Sequence, residues 1–75
     1  MIINFKGPEI SISSANSIAN STLVRVVNIG ATANLTISGV GNVSITNTAP
    51  VILEKVAAAT LTGANMLAAP VAYKN

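Results

Sequence analysis

Leu23-Val24-Arg25-Val26-Val27-Asn28-Ile29 is the stretch on which the fold turns. Valine and isoleucine branch at Cβ, which restricts them in a helix and suits them to a pleated strand. Successive strand side chains point to opposite faces, so Leu23, Arg25, Val27 and Ile29 share one face. Val24, Val26 and Asn28 share the other. Both faces are largely apolar, which places the segment at the centre of a sheet or against another subunit. Arg25 is its single charge. A guanidinium buried alone is costly, so Arg25 must be paired or lie at an interface. Glu9, Glu54 and the terminal carboxylate are the partners within the chain, and a carboxylate on another protein would also serve.

Outward from this segment the same period of two recurs. Ile10-Ser11-Ile12-Ser13 alternates, and Ser14 to Ser21 is loop-like. Asn34 to Ser38 places Leu35 and Ile37 inward, and Val43 to Thr46 does the same with Val43 and Ile45. Gly30 to Ala33 and Gly39 to Asn42 are turns, the latter with glycines free to take positive φ. Three alternating runs joined by two short links read as a β-meander. Between Val51 and Thr60 alanines and Glu54-Lys55 permit a helix after Pro50, but the β-branched residues and the lack of a capping box favour strands at 51–55 and 60–62. Met66 to Lys74 is a terminal strand that Pro70 would confine in part to an edge. The expectation is an all-β chain, a small antiparallel β-sandwich or barrel of about six or seven short strands. Residues 1–75 form one domain, in which 1–8 serve either as a first strand or as an N-terminal arm docking on a neighbour.

Composition narrows function by exclusion. The 75 residues include no Cys and no His, and Glu9 and Glu54 are the only carboxylate side chains. Disulfides are therefore impossible, and neither a transition-metal site nor another cofactor is expected. Hydroxyl nucleophiles abound, but the usual activating base is missing; a Ser-Lys pairing with Lys6, Lys55 or Lys74 has no motif behind it. Glu54 and Lys55 are adjacent on a strand and point apart, so they cannot share one substrate atom. Ser38-Gly39-Val40-Gly41-Asn42 lacks the helix and the Lys of a phosphate loop. Thr46/Thr48 and Thr60/Thr62 have no repeat spacing that would build an ice- or glycan-binding array. No enzyme is expected.

Charge and hydrophobicity point to a packing module. Hydrophobic residues make up 51% of the chain and charged residues 8%, against about 25% charged in ordinary domains. Chains this short commonly need extra support. Burying another ~600 Å² of apolar surface per subunit would contribute on the order of 15 kcal/mol before entropy, so a homo-oligomer is expected. The net charge of +2 comes from scattered residues, without the basic stripe and interleaved aromatics of a nucleic-acid binder. No signal peptide is evident, and the apolar stretch from Ala49 to Ala59 is too short to span a bilayer. Neither nucleic acid nor membrane is an expected partner. Asn20, Asn34 and Asn42 begin Asn-x-Ser/Thr triplets of the kind an Asn/Ser/Thr-rich chain produces by chance.

Thr22-Leu-Val-Arg-Val-Val-Asn28, with Ala33-Asn-Leu-Thr-Ile37, Val51-Ile-Leu-Glu-Lys55 and Ala69-Pro-Val-Ala-Tyr73, resembles small β-rich structural proteins of tailed-phage virions, cyanophage types among them. The resemblance covers roughly residues 21–75. It implies a virion location and a capsid decoration (cement) protein that binds the major capsid protein from outside, commonly as a trimer. A tail, neck or fibre-associated role is the alternative it implies, and a host-surface or glycan-binding module is a further one. The pattern is one of packing, so no functional residue is carried over. From the residues themselves, the interface candidates are Ile2, Ile3, Phe5, Val24, Arg25, Val26 and Tyr73.

Overall fold

The computed structural model describes residues 2–74. Eight strands occur in chain order: β1 (Ile2–Phe5), β2 (Ile10–Ser11), β3 (Leu23–Asn28), β4 (Ala33–Ile37), β5 (Gly41–Ile45), β6 (Val51–Glu54), β7 (Leu61–Thr62) and β8 (Met66–Lys74). There is no helix among the described residues. The alanine-rich segment resolves to strand β6 and a turn, as its β-branched residues favoured. Every pairing is antiparallel, in two sheets. One sheet runs β1-β8-β3-β6 with β2 also beside β8, and the other runs β5-β4-β7.

Their facing sides enclose one core. Val24, Val26, Met66 and Ala68 come from the larger sheet, Leu35, Ile37, Ile45 and Leu61 from the smaller, and Ile12 and Ile18 from the loops between them. On one side residues 12–16 stitch the sheets together. Ile12 N–H donates to Met66 C=O, Gly63 N–H donates to Ile12 C=O, and Asn16 exchanges two backbone bonds with Leu61. The result is a sandwich closed along one flank.

Asn28 pins the crossover from β3 to β4. It is buried, its Nδ2 donates to the carbonyls of Ala31 and Ile45, both at 2.9 Å, and its Oδ1 accepts the Gly30 N–H at 2.8 Å. Both amide hydrogens and the amide oxygen are thus used, so a polar group at the seam carries no penalty for burial. The β4–β5 hairpin closes through Val40 N–H to Ile37 C=O, with Gly39 at φ 81°. A φ of that sign at the third turn position is what glycine supplies without strain.

The pairings correct several expectations. β3 pairs with β6 and β8, and only β4–β5 is a hairpin of the expected meander. Alternation reports which way a side chain points, not which strand lies beside it. Val24 and Val26 were interface candidates, yet both are 0% exposed; they face the smaller sheet and are consumed by the chain's own core. Up to Pro70, β8 lies between β3 and the β1–β2 edge, so Pro70 itself is not at an edge. The Pro70 carbonyl accepts the Lys6 N–H at 2.7 Å, and in an antiparallel ladder a residue's nitrogen and carbonyl face the same neighbour. The absent N–H therefore falls opposite Gly7–Glu9, where the first segment bulges away. Ile2–Phe5 is a first strand of the sheet, paired from Ile2↔Lys74 to Phe5↔Val71; Met1 lies outside the described residues.

Candidate docking surface

β1 and β2 are one edge interrupted by a wide bulge. Phe5 opposes Val71 and Ile10 opposes Ala68, so four residues, 6–9, span what two residues, 69 and 70, span on β8. Gly7 sits where a Cβ would come within 3.1 Å of Pro70 Cγ, which explains a glycine at the point of closest approach. The bulge lifts Glu9 toward β3. Glu9 Oε2 accepts a hydrogen bond from Arg25 Nη1 at 3.1 Å, and the guanidinium carbon lies 5.7 Å from the centre of the Phe5 ring. To meet Glu9, Arg25 reaches across β8. The residue beside it there is Ala69, whose methyl group leaves the path open. Phe5, Gly7, Glu9 and Arg25 line an open depression of about 670 Å³. Of the partners open to Arg25, the structure selects Glu9.

Register assigns the outward side of the larger sheet. Arg25 stands with Ile52 and Ala69, Val27 with Leu67, Phe5 with Val71, and Ile3 with Tyr73. Cross-strand partners point the same way, so this face is apolar apart from Arg25, Glu9, Ser11 and Glu54. Phe5 is 57% exposed, Tyr73 53% and Ile52 37%. The outward side of the smaller sheet is different in kind. It presents Asn34, Thr36, Asn42, Ser44 and Thr62, with Thr36 Oγ1 donating to Asn42 Oδ1 at 2.9 Å. No charged residue occurs on β4, β5 or β7.

The structure brings Ile3, Phe5, Arg25 and Tyr73 together on this face; the Ile2 side chain lies outside the described residues. Alternation alone did not reveal Ile52, Val27 or Leu67 as members of it. The apolar character of both faces of 23–29 was the available signal for Val27.

Lys55 behaves unlike the other charges. It is buried, and its Nζ donates to the carbonyls of Val56 at 3.3 Å and Ala57 at 3.0 Å. Loss of hydration on burial holds its pKa below the usual lysine range. It caps the turn after β6.

No group of three or more His, Cys, Asp or Glu side chains that could hold a metal occurs among the described residues, and no helix there is long and apolar enough to cross a membrane. No family model, curated protein or solved structure matches the chain.

Proposed function

We propose that this chain is a non-catalytic structural subunit of a tailed-phage particle, a cement that lies on the outside of the capsid and stabilises the shell by packing. The observation that carries the proposal is the contrast between its two outward faces, one apolar and one polar without charge. In this reading the apolar face of the larger sheet meets the major capsid protein, and the hydroxyl- and amide-rich face meets solvent. Resemblance of the 21–75 segment to small virion proteins supports the same assignment.

The Arg25–Glu9 pair suits a face that is to be covered. Both side chains are partly exposed in the free chain, where such a pair contributes under about 1 kcal/mol. Once covered, a charge already matched by its neighbour escapes the penalty that an unpaired guanidinium would incur. Among the described residues the remaining guanidinium donors have no partner, and in this reading they meet a carbonyl or carboxylate of the shell. Because only the assembled lattice offers the complementary surface, binding stabilises the assembly by RT ln(1 + [L]/Kd) per site.

Gel analysis and cryo-EM of virions purified from the source of this sequence test the reading. Copies in fixed proportion to the major capsid protein, seated with Ile52 and Phe5 inward, are the expected result. A few copies per particle at the tail or neck would reassign the location, and absence from virions would overturn the proposal.

A further inference from the structure

We infer that β1 pairs edge to edge with β1 of a second copy, antiparallel, about a two-fold axis through Asn4. The ladder between β3 and β8 ends at Val24↔Pro70. Beyond it, Ser21 Oγ donates to the Leu23 carbonyl at 2.7 Å and accepts the Leu23 N–H at 3.3 Å, occupying the groups that would extend the ladder to Val71. Residues 71–74 therefore pair with β1 alone, as a two-stranded ribbon. Such a ribbon is marginal by itself.

Its outer edge is free. Lys6 N–H points to Pro70, so by alternation Asn4 also faces β8, whereas Ile3 and Phe5 direct their N–H and C=O groups away from it. No backbone partner among the described residues meets those four groups. Devices that guard sheet edges, namely Lys, Pro and a bulge, begin at Lys6, and none lies within Ile2–Phe5. The opposite edge, β6, places the charge of Glu54 in its paired segment; β1 has none.

The occupant is a second copy because the segment is complementary to itself. A two-fold through Asn4 sets Ile3 against Phe5 of the other copy twice over, closing four backbone hydrogen bonds. An aromatic side chain opposite a β-branched one is a favourable cross-strand pair. Asn4 meets Asn4, amide against amide, and no like charges oppose. The apolar faces of the two copies become one continuous platform. Four residues of edge fall short of the about 800 Å² per partner buried in a stable free complex, so pairing is driven by concentration and strengthens where copies lie side by side. The inference concerns an edge and not the apolar face, so either reading can fail alone.

Because the chain contains no cysteine, a single introduced thiol reports the contact. In a non-hydrogen-bonded antiparallel pair the Cα atoms are about 4.5 Å apart, within disulfide range. Under mild oxidation Asn4→Cys should form a covalent dimer at least about tenfold faster than Thr36→Cys on the polar face at equal concentration. Adding Ile3→Pro to Asn4→Cys should remove that advantage while circular dichroism stays that of the parent, since the Ile3 N–H serves no bond to β8. Equal rates for Asn4→Cys and Thr36→Cys overturn the inference, as does cross-linking that survives Ile3→Pro in a folded chain. A light-scattering trimer without an Asn4→Cys cross-link would overturn the two-fold in favour of head-to-tail pairing. Should Ile3→Pro unfold the chain, the rate comparison between the two single-cysteine variants decides alone.

Discussion

The two outward faces of this sandwich are made from similar alternation and end with opposite character. On the smaller sheet, β4 and β5 place Leu35, Ile37 and Ile45 inward and Asn34, Thr36, Asn42 and Ser44 outward, while Val43, expected inward, stays 43% exposed beside Leu35, so one side mostly serves the core and the other serves water. On the larger sheet, β3 and β8 are apolar on both sides. Val24, Val26, Met66 and Ala68 fill the core, and Val27 and Leu67 lie half-buried on the outward side. A sheet wetted on one side needs only half its positions apolar. The surplus in β3 and β8 is the molecule's main departure from a free-standing domain.

Unstacking the two sheets would erase the difference between the faces altogether. Asn28→Asp replaces two amide donors with a carboxylate facing the carbonyls of Ala31 and Ile45. It should cost about 3 kcal/mol or more, read as a lower denaturant midpoint. Next is a charge placed on each face in turn. Ile52→Lys and Thr36→Lys should both fold with stabilities within about 0.5 kcal/mol of the parent. Only Ile52→Lys should lose occupancy on particles, by about tenfold or more, corresponding to about 1.4 kcal/mol. Equal losses would mean that the faces do not differ in role.

A smaller effect is expected at the seam. Ile18, Ala19 and Asn20 take successive positive φ values of 55°, 55° and 56°, a run that L-residues with a Cβ resist by about 1–2 kcal/mol each. The side chain of Ile18 is 1% exposed in the core, which over-determines the loop. Ala19→Gly relieves strain without emptying the core and should raise stability by about 0.5–1 kcal/mol in a thermal melt, leaving both faces unchanged.

The smallest expected effect is a pH trend from Lys55. Its folded pKa is lowered, so between the folded and unfolded values the unfolded chain holds a proton that the folded chain has released. Stability therefore rises with pH across that window, up to the unfolded value of about 10.4. Lys55→Met should flatten this slope in melts taken from neutral to alkaline pH.

Fold class was legible because period-two alternation with β-branched residues leaves few alternatives. So was the need of Arg25 for a carboxylate, with Glu9 among the choices. Strand neighbours were not legible: β3 lies beside β8, about forty residues on, and no local pattern names that partner. Val24 and Val26 could be oriented to a common face, but which face the second sheet would cover depends on the same missing topology. Ile18 escaped notice for another reason. It stands alone among Ser, Asn and Ala, and reaches the core through a backbone conformation that isoleucine rarely takes. Pro70 reads as an edge signal because it lacks an N–H, and no local pattern shows the bulge at Gly7–Glu9 that makes that donor unnecessary.

The absence of ionisable groups from β4, β5 and β7 has a consequence for any surface tiled with this chain. Hydroxyls and carboxamides bind water without setting up a long-range field, so dissolved electrolyte has little to screen there. A coat of such faces would keep its hydration, and its indifference to charged debris, from fresh water to brine.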